Sequence, residues 1–147
     1  MQNRTKTTKE RTMPTFKFAK LVRNNIPEWH RQSGHTVKGR QLSGDELQAA
    51  LIEKLHEEAD EVSGALSREE LIEEIGDVQQ IIDDLLVTQN IDETELRGVM
   101  AKKVESKGGF QNGEYIDTVT MPSEDDKWAQ YCRQAPEKYP EVFEEAV

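Results

Sequence analysis

The chain has 147 residues, of which 35% are hydrophobic and 33% charged, with a mean hydropathy of -0.80; this is the length of one domain with a short appendage, and too apolar for a fully disordered chain. Its longest apolar runs, Ile81-Ile82 and Leu85-Leu86-Val87, fall far short of the roughly 18 residues a membrane helix needs, which excludes a membrane span. The net charge of -10 is unevenly spread: residues 1–44 hold 10 Lys/Arg and 2 Asp/Glu, residues 45–95 hold 2 and 17, and residues 96–147 hold 7 and 10, which excludes the broad basic face of a stable nucleic-acid binder and suits an acidic cation site with basic flanks.

Residues 1–15 have no periodicity and few apolar side chains, and read as a flexible lead-in. The next segment, Phe16 to Leu42, combines a short apolar stretch with a helical turn started by Pro27 and stopped by Gly34. A capping box, Ser43-Gly44-Asp45-Glu46, predicts the start of a helix running to about Gly64, with Leu47, Leu51, Leu55 and Val62 as its buried stripe. A second box, Ser67-Arg68-Glu69-Glu70, opens a helix to about Asn90, striped by Leu71, Ile75, Val78, Ile82 and Leu85 and widened by Ile81 and Leu86. The short loop between them makes an antiparallel hairpin.

A third helix, Asp92 to about Lys107, carries Leu96, Val99, Met100 and Val104 and stops at Gly108-Gly109. The stretch EYIDTVTM has the alternating, β-branched character of a short strand or an extended arm. After Pro122 a helical piece, SEDDKWAQYCRQ, precedes a Pro-punctuated end whose Trp128, Tyr131, Tyr139 and Phe143 argue for packing on the core or on a partner. The expected fold is therefore all-α: a hairpin that completes a four-helix bundle on oligomerisation, with a short extended arm and a C-terminal extension. The divisions are the lead-in 1–15, a helical domain 16–120 and an extension 121–147. The N-terminus lacks the apolar stretch of a secretory signal, and the lone Cys132 cannot close an intramolecular disulfide, so a cytoplasmic setting is expected.

The sharpest feature is acidic. Glu58 lies in the row Leu51, Leu55, Glu58, Val62, at steps of four, three and four, where an apolar side chain belongs. Glu74 follows Leu71 by three and precedes Val78 by four, and Asp77 precedes Ile81 by four. The pairs Glu58/Glu61 and Glu74/Asp77 each share one helix face, so two pairs converge on the hairpin seam. Carboxylates crowded into a partly apolar groove take up protons unless a cation holds them ionised, and Lys54 and Arg68 are the only basic residues between 45 and 95. An all-oxygen site open to water and phosphates suits Mg²⁺, with Mn²⁺ as substitute. His30, His35 and His56 are not spaced as zinc ligands.

Glu57-Glu58-x-x-Glu61 followed by Glu74-x-x-Asp77 resembles the EExxE and ExxD signature of the all-α nucleoside triphosphate pyrophosphohydrolases, the superfamily of MazG, dimeric dUTPase and phosphoribosyl-ATP pyrophosphohydrolase. Lys20-Leu21-Val22-Arg23 with Ile26-Pro27-Glu28 is similar to the KLVRDKIPE opening of a phosphoribosyl-ATP pyrophosphohydrolase-like branch, and Lys103-x-x-x-Lys107-Gly108-Gly109-Phe110 to its closing K…RGGF element. The resemblance spans Phe16 to Phe110. Asn24-Asn25 departs from the acidic-basic pair of that pattern, and Lys107 stands where Arg is common. The resemblance implies cleavage between the α and β phosphates of a nucleotide substrate, giving monophosphate and pyrophosphate. It also implies metal on Glu58, Glu61, Glu74 and Asp77, catalytic roles for Glu57 and Glu58, and phosphate contacts from Lys20, Arg23, Lys103 and Lys107. A homo-oligomer, dimer or tetramer, goes with it. Two further readings are a phosphoribosyl-ATP hydrolase and a non-enzymatic acidic interaction module.

Overall fold

The computed structural model describes residues 13–143; residues 1–12 of the lead-in and the last four residues of the extension lie outside them. Five helices and no strand occur among the described residues: α1 (Ile26–Gln32), α2 (Gly44–Gly64), α3 (Arg68–Thr88), α4 (Glu93–Lys107) and α5 (Lys127–Arg133). The fold is all-α. No helix among them is long and apolar enough to cross a membrane.

Two compact units divide within α4, residues up to Ala101 forming one and Lys102 onward the other. In the first, α2 and α3 pack against each other. At 21 residues each, both rise about 31 Å, enough to carry a site near mid-length away from frayed ends. The start of α3 follows the expected box: Ser67 Oγ accepts from the Glu70 N–H at 3.1 Å, and Glu70 Oε2 accepts from the Leu66 N–H at 2.8 Å.

The start of α2 departs from expectation. Ser43 stands at the N-cap but its side chain caps nothing, and Glu46 is ion-paired with Arg40 instead of reaching back. Gly44 explains this: its φ of +56° is left-handed, a conformation open to glycine, and it turns the chain between the serine and the donors it was expected to meet.

The buried apolar positions are fewer than the sequence stripes promise. Leu51 on α2 and Ile81 on α3 are the core residues of the hairpin, with Leu47, Leu55, Val62, Val78, Ile82, Leu85 and Leu86 half-buried beside them. Leu71 and Ile75 were expected in the buried stripe but are exposed, Ile75 at 52%, and Ile52 and Ile72 are exposed as well. Ile81, read from the sequence as the edge of the stripe, is its centre. One neighbouring helix covers only a narrow strip of α3, and periodicity does not say which strip. Trp29 of α1, an aromatic that gains from burial, is 57% exposed. It meets His30 edge-on at 4.9 Å between ring centroids.

The second unit holds the end of α4, a loop and α5. Gly108 stops α4 at a φ of +77°, and the following loop, with Phe110 fully exposed, lines a concavity of about 290 Å³. The Glu114–Met121 stretch forms neither strand nor helix. Asp126 caps α5 through the Trp128 N–H at 2.8 Å. The tail aromatics contact each other, Trp128 with Tyr131 at 5.7 Å and Tyr131 with Tyr139 at 5.9 Å between centroids.

Candidate metal centre

Helical spacing puts Glu57, Glu58 and Glu61 on successive positions of one side of α2, and Glu74 and Asp77 on the facing side of α3. Glu58 is the one buried charged residue among those described, at 4% exposure. It is paired there: Lys54, one turn earlier on α2, places its ammonium 2.6 Å from Glu58 Oε1 and 3.2 Å from Glu57 Oε1. Burial by itself would lower the Lys54 pKa, but the hydrogen bonds to Glu58 and Glu57 outweigh it and raise it.

That ion pair satisfies half of Glu58. Its second oxygen, Oε2, is buried and has no hydrogen-bond partner among the described residues. One carboxylate oxygen from each of Glu58, Glu61 and Glu74 lies within 4.8 Å of the others. Oxygens around an octahedral Mg²⁺ lie about 2.9 Å apart when adjacent and about 4.2 Å apart when opposite, so a modest side-chain movement would bring the three onto one ion. Without a cation these groups can meet only through a shared proton. The neighbouring Glu58 carboxyl, by its close approach and then by its charge, with smaller contributions from burial and Glu74, holds the Glu61 carboxyl above its ordinary range. The donor set fits a hard divalent ion: oxygen only, anionic, one member buried and lacking a partner on one oxygen.

Asp77 is engaged elsewhere, in an ion pair with Arg23. Glu57 is likewise engaged, accepting from Lys20 at 2.8 Å. This contact first, opposed by burial and supported by Lys54, holds Glu57 below the usual carboxylate range. Such a carboxylate is a poor base and a good acceptor, able to orient a water by hydrogen bonding more readily than to deprotonate it. Lys20 and Arg23, assigned to phosphates by resemblance, therefore rest on the acidic residues themselves. Both are about half exposed. Lys103 and Lys107 lie on the last turns of α4 in the second unit, exposed.

Beside the carboxylates the same unit forms a groove of about 630 Å³. Leu21, Val22, Leu51 and Ile81 contribute apolar surface, and Arg23, Lys54, Glu58 and Asp77 contribute charge. The N-terminal segment is thus laid across the hairpin by the two ion pairs of Lys20 and Arg23, and an irregular stretch becomes a wall of the groove. A curated relative accompanies this geometry. The match is to a protein of Mycolicibacterium smegmatis that bears only the description "Uncharacterized protein": 49% of residues are identical over 56, covering 38% of this chain and 57% of that protein. The chain thus spans little more than half of the relative's length. No family model and no solved structure matches the chain.

Sequence reasoning missed three features of the first unit, two of them at the site. It overlooked Lys54 as the partner of Glu58, although a lysine four residues before a glutamate on one helix is a readable signal. It overlooked the Lys20–Glu57 and Arg23–Asp77 pairs, which span 37 and 54 residues of chain and leave no local signal. It also set His30 and His35 aside, whereas the turn after α1 brings their Nδ1 atoms to 2.9 Å.

Proposed function

We propose that the protein is a metal-dependent nucleoside triphosphate pyrophosphohydrolase, cleaving between the α and β phosphates to give a nucleoside monophosphate and pyrophosphate. One observation carries this reading: Glu58 is buried with one carboxylate oxygen, Oε2, lacking a partner among the described residues, and its carboxylate stands in a cluster with those of Glu61 and Glu74 in which one oxygen of each lies within 4.8 Å of the others. A buried anionic oxygen left bare costs several kcal/mol unless it gains a proton or a cation, and a divalent ion satisfies all three carboxylates at once. Glu58, Glu61 and Glu74 would hold the ion. When bound, it would neutralise charge developing on phosphate oxygens.

The chain's own residues do the rest. Glu57, kept ionised by Lys20 and Lys54, accepts a hydrogen bond from the attacking water and fixes its direction. Lys20 and Arg23 line the entrance with positive charge and draw in an otherwise repelled polyanion. The apolar surface of Leu21, Val22, Leu51 and Ile81 excludes water from the organic part of the substrate. In this reading Mg²⁺ is the resident ion, with Mn²⁺ as substitute, and the setting is cytoplasmic.

The chain belongs, in the same reading, to the all-α nucleoside triphosphate pyrophosphohydrolases and acts as a homo-oligomer. The exposed Ile52, Leu71, Ile72 and Ile75 of the hairpin are the surface on which a second hairpin would complete a four-helix bundle. A second reading has a specific observation behind it: Lys20, Arg23 and Lys54 already pair with Glu57, Asp77 and Glu58, as they would in a salt-bridged, non-enzymatic interaction module.

The deciding experiment is product analysis after incubation with a panel of ordinary and modified nucleoside triphosphates in Mg²⁺, Mn²⁺ or EDTA. Monophosphate and pyrophosphate, abolished by EDTA, are expected. If the panel gives no turnover, phosphoribosyl-ATP is the next substrate, and its failure leaves the interaction module.

A further inference from the structure

Lys54 is 20% exposed and has both of its carboxylate partners on its own helix, Glu58 at 2.6 Å and Glu57 at 3.2 Å. It is the one lysine or arginine of α2, and the side chain also borders the groove of about 630 Å³ next to the carboxylates. The ammonium sits on Glu58 Oε1 and leaves Oε2 open, but an ammonium and a divalent ion on one carboxylate stand only a few ångströms apart and repel strongly in a partly buried site. The stem of lysine, four methylenes long and rotatable, allows the head to leave while the stem stays packed.

Resting on the metal-binding reading above, we infer that Lys54 is a tethered cation which stands in for the divalent ion at Glu58 and is exchanged for it. In the metal-free protein the ammonium is seated on the Glu58 carboxylate. When the metal takes the Glu58 carboxylate, the ammonium swings into the groove, still protonated. There it faces the space that would hold the anionic end of a substrate. Loading the ion and presenting a new positive group to the groove are one event, and a phosphate-bearing molecule meets that group only after the metal has bound. No covalent bond changes in the exchange; one cation replaces another on the same carboxylate.

The test measures amine reactivity in the full-length wild-type protein, so it does not depend on a variant that folds. The protein is treated briefly with acetic anhydride in EDTA and in saturating Mn²⁺, with Mn²⁺ occupancy followed independently by electron paramagnetic resonance, and acetylation is read residue by residue by mass spectrometry. Exposed Lys38 serves as the internal reference. Lys54 acetylation should rise roughly fivefold on Mn²⁺ binding, as an ammonium freed from its carboxylates becomes open to solvent. In Lys54→Met, the Mn²⁺ dissociation constant should tighten about tenfold or more, because a competing unit charge has been removed. Bound Mn²⁺ with Lys54 reactivity unchanged or reduced would overturn the exchange and leave the metal site standing. Absence of Mn²⁺ binding would overturn both the exchange and the reading on which it rests.

Discussion

Two regions of the molecule satisfy charge in opposite ways. In the second unit, Arg133 is exposed and over-supplied: Glu124 lies at 2.7 Å and Glu141 at 2.6 and 3.0 Å. All of these contacts can be lost to water without stranding a group. In the hairpin, Glu58 is buried and under-supplied, with one oxygen on Lys54 and the other bare. A saturated surface clamp is architecture, of modest value because solvent competes for every partner. A buried acceptor with nothing to accept is rare in a folded protein and calls for a partner, which the proposed metal would supply.

The largest effect expected from this contrast lies at Glu58. Glu58→Gln keeps the shape and the hydrogen bond to Lys54 but removes the negative charge of this ligand. Pyrophosphate release should fall roughly 10²–10³-fold, while the metal-free protein should melt at or above the wild-type temperature because a crowded anion is gone. Strong metal-free destabilisation with intact activity would sink the ligand assignment. Next comes the ion itself: at a Mg²⁺ or Mn²⁺ concentration of about 100 dissociation constants, linkage gives about 2.7 kcal/mol, a Tm rise of roughly 6–10 °C for a chain of this size. Differential scanning calorimetry should show this rise in wild type and its loss in Glu58→Gln.

Lys20 and Arg23 sharpen the comparison, because they are surface pairs beside a buried site. Lys20→Ala should cost less than about 1 kcal/mol in chemical denaturation, as exposed pairs do, yet raise KM for the nucleotide about tenfold if its ammonium meets phosphates. An unchanged KM would return Lys20 to a purely structural role.

The two regions also respond to pH with opposite sign. Glu61 has a folded pKa above its unfolded one, principally through the close approach of the Glu58 carboxyl. Its contribution to stability is complete below the ordinary carboxylate pKa and disappears as pH rises through the raised value. Metal-free protein should therefore lose stability over that window, Glu61→Gln should flatten the slope, and divalent affinity should grow over the same window as the shared proton leaves. Glu141 is the reverse: the hydrogen bond with Arg133 holds its carboxyl below the usual range. Its contribution is present above the ordinary carboxylate pKa and lost as pH falls through the lowered value. Glu141→Gln should remove only this acid-side component, the smallest of these effects, seen as a slightly flatter plot of Tm against pH.

Much of the first unit was legible in the residues. Steps of three and four placed Glu58 among Leu51, Leu55 and Val62, and the structure buries it there. Ser67 and Glu70 announced the start of α3, and Gly108-Gly109 the end of α4. The box at Ser43 was legible but wrong, since the pattern of residue types does not reveal that Gly44 turns left-handed. The exposure of Trp29, Leu71 and Ile75 was not legible, because apolar character says that a side chain gains from burial and not that this chain provides the cover.

The sequence by itself determined the helices, the hairpin and the convergence of acidic faces, because these follow from local spacing and short loops. Only the tertiary structure decided which oxygens have partners: Lys20 on Glu57, Arg23 on Asp77, Lys54 on Glu58, and nothing on Glu58 Oε2 among the described residues. The reason is physical. Helical periodicity fixes the direction in which a side chain leaves its own axis, whereas an ion pair depends on distances between segments separated by dozens of residues, and those distances exist only once the chain has packed.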